Sequence, residues 1–326
     1  MSSSEAFSVM EALPRDVTYA SIVLHGFDDM EEVPENVFRG LHFDHGSLMI
    51  DTSHHHGVAP VLHPASFADI DDLDELLLCY MKLTAVPAVI FPSIQDSVVT
   101  LNLAGNAITM LLQGAFAAHG HLLHLILAEN NLKYINEWAF TGMPELHALD
   151  LTSAGIDYLH PGTFRDAWHL EILKLAGNRL VSLQPGVFAG LHNVEHLDFS
   201  GSQIAWVGPG AFDDTEGILR VDLPGQQIYW IGEDAFRGLR EIEELNLSDN
   251  HLNTLTEEAF DEHVLHHHGH HHGHIHLDIT GNPINCVCNI NYLLAHPFST
   301  SGTCSAPQNR IGTSLSDLTN TVLDCP

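Results

Sequence analysis

Histidine is the side chain with the most chemistry to offer in this chain, with 26 copies in 326 residues. The densest run is HVLHHHGHHHGHIH, from His263 to His276. Neutral imidazole binds Zn, Cu or Ni, so His266, His267, His268, His270, His271 and His272 are candidate metal ligands. A glycine-punctuated tract lacks the fixed ligand geometry of a structural zinc site. Two other readings therefore stand beside loose, adventitious metal capture. One is a tolerated low-complexity loop; the other is a pH sensor, because imidazoles change charge between about pH 5 and 8. No resident cofactor is expected.

The second chemical feature is charge. Forty-two acidic residues face 11 Lys plus Arg, a formal net charge of −31. Phosphate recognition needs clustered basic residues, so a nucleic-acid partner is excluded, as is docking on an anionic membrane through a basic patch. A cationic partner is favoured. No apolar run reaches the roughly 18–20 residues that span a bilayer. Residues 1–16 lack the basic start and apolar stretch of a signal peptide. Catalysis is not expected. The chain has no GxSxG, P-loop or HExxH phrase, and His147 with Asp150 has no positioned nucleophile; Ser153 and Ser200 stand where any repeat carries serine.

The elements that position these groups are set by a period. Phe116, Phe140, Phe164, Phe188, Phe212, Phe236 and Phe260 stand 24 residues apart. Leu122, Leu125, Leu127, Asn130 and Leu132 fit L-x-x-L-x-L-x-x-N-x-L, and two further sets, Leu170 to Leu180 and Ile242 to Leu252, fit it too. Nine such phrases begin near Leu73, Val98, Leu122, Leu146, Leu170, Val194, Ile218, Ile242 and His274. This is the leucine-rich-repeat signature. It predicts an α/β solenoid, a horseshoe with a parallel sheet on the concave face and short helices or loops on the convex face. Residues 1–45 are expected to be a degenerate N-terminal segment or imperfect cap, 46–284 about ten repeats, and 285–326 a C-terminal cap. Ile22, Leu24, Leu48 and Ile50 read as strand remnants near the start. In each phrase Leu-x-Leu alternates, so both leucines face one side of a short strand. The Asn turns inward to satisfy backbone groups. Asn106, Asn130, Asn178, Asn250 and Asn282 form that ladder, and Ala154, Ser202 and Gln226 interrupt it, which predicts looser loops there. The 24-residue beat places the last strand at 266, yet it begins at 274; residues 266–273 are therefore an insertion.

Partner binding is expected on the concave sheet. The residue between the strand leucines gives Asp150, Lys174, Asp198, Asp222 and Asp278, and neighbouring positions add His124, His147, Glu195, His196, Arg220 and Glu244. The alternative is a face that simply stays wet. A second column, Tyr134, Tyr158, Trp206 and Trp230, precedes a core residue and should face outward on one flank. Exposed Trp and Tyr are typical of binding hot spots, although neighbouring rings also stack for stability alone. Asn246-Leu-Ser248 is a glycosylation sequon lying on a strand.

After Asn282, Pro283 leads to Cys286, Cys288, Cys304 and Cys325. Four cysteines allow three connectivities. The phrase NPINCVCNINYLL resembles the cysteine-rich C-terminal cap of extracellular leucine-rich-repeat proteins, with Asn289 and Tyr292 where that cap usually has an acidic residue and a Trp. The resemblance implies the pairs Cys286–Cys304 and Cys288–Cys325. Such a cap places the protein in an oxidising, extracellular or secretory compartment. Cys79 is left over, either a lone thiol or the donor of an intermolecular bond. The wider pattern, GPGAF- and EDAF-type repeats running into LDITGNPINCVCNINYLL, is similar to arthropod leucine-rich-repeat proteins akin to the non-catalytic subunit of a shrimp luciferase. That resemblance implies a non-enzymatic, secreted or cell-surface binding or scaffold module. Its partner is a protein, either basic or an enzyme subunit that this chain would accompany as an accessory. Metal handling through His266–His272 is the competing function.

Overall fold

The computed structural model describes residues 3–26, 30–53, 56–260, 262–265, 274–296 and 298–318. It divides into two compact units, Met1–Gly155 and Ile156–Pro326. Each is a parallel β-solenoid with little helix.

Unit 1 opens with helix α1, Ser3–Glu11, which buries Phe7 and Met10. Its main sheet takes six strands: β1 Thr18–His25, β2 His42–Asp51, β3 Asp71–Cys79, β4 Thr100–Asn102, β5 His124–Ile126 and β6 Ala148–Asp150. They form one sheet in chain order, each parallel to the next. The first three run eight to ten residues; the regular repeats use three each. The irregular N-terminal stretch, with its Ile22, Leu24, Leu48 and Ile50, is thus built as full strands.

Unit 2 contains β7 Ile172–Lys174, β8 His196–Asp198, β9 Arg220–Asp222, β10 Glu244–Asn246, β11 Ile275–Asp278 and β12 Phe298–Ser301. Strands β8 to β12 pair in parallel, in order. β12 has no counterpart in the repeat phrases; it lies within residues 285–326, where the sequence led us to expect a cap. A second ladder of two-residue strands, Ser182–Leu183, Trp206–Val207 and Trp230–Ile231, runs along the flank.

The core follows the period. The strand leucines are buried, and so are all seven phenylalanines of the column. Within unit 2 the rings stack from turn to turn, with centroids 5.2 Å apart for Phe188–Phe212 and 5.3 Å for Phe236–Phe260. Such pairs contribute beyond their buried area.

The asparagine ladder is built as expected. Asn106 Oδ1 accepts from the amides of Met81 and Leu83 at 3.0 and 3.1 Å, while Nδ2 donates to the Leu78 and Leu103 carbonyls at 2.8 and 2.9 Å. Two of the three interruptions are repaired. Gln226 reproduces the pattern, accepting from Ile204 N–H at 3.1 Å and donating to the Phe199 carbonyl at 3.0 Å. At Ala154 the backbone carbonyl accepts from Leu132 N–H at 2.8 Å. The looser loops expected there are therefore not found; one extra methylene, or a carbonyl already in place, keeps the bond. Only Ser202 fails, leaving a buried hydroxyl without a partner.

Register confirms the insertion before β11. Leu252 N–H reaches Asn282 Oδ1 across 30 positions, where the equivalent bond from Ile228 to Asn250 spans 22. The inserted His266, His267, His268, His270, His271 and His272 lie outside the described residues.

Candidate functional site

On β8 to β10 one charged network spans three turns. Parallel register sets His196 beside Arg220 and Arg220 beside Glu244, with Asp198, Asp222 and Asn246 in the row two residues on. Arg220 turns along its own strand, and its Nε donates to Asp222 Oδ2 at 2.7 Å and Nη2 to Oδ1 at 3.2 Å. Its Nη1 lies 2.6 Å from Glu244 Oε2. His196 Nε2 closes on the other side of Asp222 Oδ2 at 2.7 Å. Burial alone would raise the Asp222 carboxyl; the hydrogen bonds from Arg220 and His196 outweigh it and hold the group below the ordinary carboxylate value. The Asp222 bond likewise raises the Arg220 guanidinium.

This corrects one expectation. Asp222 is not an open acidic contact: its side chain is 9% exposed and fully engaged. It anchors Arg220 in place. The other residues expected on the unit 2 face are where the repeat puts them. Lys174, Glu195, His196, Arg220 and Glu244 are exposed, and Asp198 and Asp278 are half-buried. Asp198 and Asp278 also accept from the backbone of Ser200 and Thr280 at 2.8 and 2.9 Å, closing the turn after each strand.

Unit 1 has a different face. His124 is exposed and bonds Thr100 Oγ1 through Nδ1 at 3.0 Å. His147 is half-buried, its Nδ1 2.6 Å from the Glu145 carbonyl, and Asp150 caps Thr152 N–H at 2.9 Å. The strands before them carry an apolar row that the repeat phrases did not reveal: Val23, Met49 and Leu77 stand in register on β1, β2 and β3.

The aromatic flank is also partly as expected. Tyr134 in unit 1 is 44% exposed, and Tyr158 and Trp230 in unit 2 are 41% and 46% exposed. Trp206 is half-buried against Trp230, ring centroids 6.2 Å apart. Ser182, at the same column position, is buried and bonded by Gln184. Tyr229 was missed, though it is the more exposed neighbour of Trp230. Its column, Val181, Ala205 and Tyr229, carries the same 24-residue spacing, so the signal was available.

Cys286 is bonded to Cys304. The Cys288–Cys325 pairing lies outside the described residues. Near the bridge, Tyr292 is buried, donates its hydroxyl to the Leu255 carbonyl at 2.9 Å, and packs on Phe260. Cys79 is a buried free thiol, and that burial pushes it up to about 11. Asn246 of the sequon spends its Oδ1 on Ser248, accepting from both its N–H and hydroxyl. Among the described residues no group of three His, Cys, Asp or Glu could hold a metal ion, and no helix is long and apolar enough to cross a membrane.

The leucine rich repeat profile matches residues 96–156, 144–204 and 168–228. Residues 96–228 thus carry leucine-rich repeats, and the fold is a leucine-rich-repeat solenoid. No curated protein matches it in sequence. Among solved structures it is similar to a chain of the octameric complex of Latrophilin 3, Unc5D and the leucine-rich-repeat protein FLRT2, with 21% identity, a TM-score of 0.68, and coverage of 96% of this chain and 92% of that one. It is also similar to a chain of the Drosophila Toll–Spatzle complex, again at 21% identity and a TM-score of 0.68, covering 92% of this chain and 45% of that one. At this identity the likeness is one of fold. Both neighbours come from protein–protein complexes.

Proposed function

We propose that this leucine-rich-repeat chain is a non-enzymatic, secreted or cell-surface binding module whose unit 2 face receives a cationic segment of a protein partner. One observation carries the reading. Arg220 is the only Lys or Arg on β8 to β12, and two carboxylates already hold it, at 2.7 and 2.6 Å. The remaining acidic groups, among them Glu195, Asp198, Glu243 and Asp278, therefore set the sign of the face. Repeat arrays bind on such surfaces, and complementary charge steers association. The disulfide supports an oxidising compartment.

The test is a photo-crosslinker placed at exposed Glu195, used on native material and alongside binding of a labelled oligolysine peptide. A basic protein should be captured. Asp198→Lys combined with Glu243→Lys should weaken oligolysine by about tenfold or more at low salt. Binding that is indifferent to both charge reversal and salt would sink the proposal.

A further inference from the structure

Unit 1 ends in an edge that its own described residues leave open. β1 pairs with β2 on one side; among the described residues no strand and no backbone hydrogen bond meets the other side. An unpaired edge offers a row of N–H and C=O groups to any incoming strand, and proteins commonly blunt long edges with charge, proline or shortness. β1 lacks these three protections, although its pairing with β2 is irregular between Tyr19 and Ser21. It is eight residues long, and nothing from Thr18 to Leu24 is charged or proline.

The side chains add two independent signs. On the core side, Ile22 and Leu24 stand in register with Leu48 and Ile50. The latter pair is 0% exposed, while Ile22 and Leu24 are only half-buried; among the described residues no strand pairs beyond them. On the opposite face, Val23 is 52% exposed and ends the apolar row continued by half-buried Met49 and Leu77.

The geometry points to β1 as a strand-addition site, at which an extended segment of another protein pairs with Thr18–His25. Main-chain bonds supply the affinity in this mode, and alternate side chains supply the selection. Here the incoming strand is apolar on both faces at its centre, covering Ile22 and Leu24 on one side and extending the Val23 row on the other. Its flanks are basic. Exposed Asp16 stands just before β1, Asp51 lies beside His25 at its end, and the whole chain carries −31. The same charge disfavours a second copy as the occupant, since two like-charged bodies repel.

The probe is a short synthetic peptide alternating Val and Ile between paired lysines, so that both faces of the strand are apolar, with a glutamate-flanked control, added to the full chain. The lysine peptide should slow amide exchange across Thr18–His25, and the glutamate peptide should bind at least about tenfold more weakly. Val23→Lys changes an exposed position; it should weaken the lysine peptide about tenfold while leaving the melting curve in place. Ala20→Lys, also exposed, serves if the first variant folds poorly. Unchanged exchange at β1 overturns the assignment, as does equal binding of both peptides. A dimer in sedimentation that Val23→Lys dissociates would give the edge to a second copy and overturn it too.

Discussion

His119 is fully buried, neither ring nitrogen has a partner, and its neighbour is the edge of Phe91, ring centroids 5.9 Å apart. Burial lowers the imidazole to about 4. The sign follows from linkage. Between about pH 6.5 and 4 the unfolded chain takes a proton that the folded chain refuses, so stability falls as pH falls through that window, by ~3 kcal/mol in all. His119→Leu should remove that slope, and it should also stabilise by about 1–3 kcal/mol, because two unpaired buried nitrogens disappear. Denaturant midpoints measured at pH 7 and pH 4.5 test it; a variant whose pH slope equals the parent's would refute the account. Asp222 acts over a lower window. Its depressed carboxyl contributes stability above the ordinary carboxylate value, and the contribution is lost as pH falls through the lowered folded value. Asp222→Asn keeps the shape but removes the charge, so it should cost about 1–3 kcal/mol at neutral pH and release Arg220. A thermal melt together with the Arg220 side-chain NMR signal checks this, and an unchanged pair of readings would be decisive against it.

The turns that carry the inward asparagine are closed by the same few bonds, so single substitutions test the repeat itself. Asn250 accepts from Ile228 N–H and donates to the Leu223 and Leu247 carbonyls, all buried. Asn250→Ala orphans those groups and should cost about 3 kcal/mol; a loss below about 0.5 kcal/mol in urea unfolding would mean that water replaces the side chain. Cys286→Ser with Cys304→Ser opens a loop of sequence separation 18 and should cost about 3 kcal/mol, seen as earlier melting of unit 2. At this scale the strands were legible from the sequence because Leu-x-Leu and the Asn position impose one geometry. Gln226 and Ala154 were misread because the ladder needs an acceptor at one point, not one residue type. Asp222 was misread for a related reason. Its position in the repeat says which way it points, but only the parallel register shows that His196 and Arg220 converge on it. The apolar row of Val23, Met49 and Leu77 was hidden because the first strands do not keep the 24-residue beat.

Across the whole chain the legible quantity was charge, and it makes a prediction that no single contact makes. With 42 acidic residues against 11 basic ones, most carboxylates have no cation to pair with. Like charges brought together by folding oppose the compact state. The pairs that do form are mostly exposed, such as Arg237–Asp234 and Arg39–Asp69, and exposed pairs contribute about 0–1 kcal/mol each at most. Screening therefore removes more repulsion than attraction. The Debye length shrinks from about 30 Å at 0.01 M to about 8 Å at 0.15 M ionic strength, which leaves close pairs partly intact while cutting the longer-range repulsion between turns. Raising sodium chloride over that range should lift the melting temperature by at least ~1.5 °C, equivalent to roughly 1 kcal/mol for a chain of this size. Chloride is the salt to use, because sulfate stabilises by exclusion from any protein surface. A melting temperature that falls with added chloride would show that the network around Arg220 and its like outweighs the net field, and the electrostatic case for a cationic partner would weaken with it.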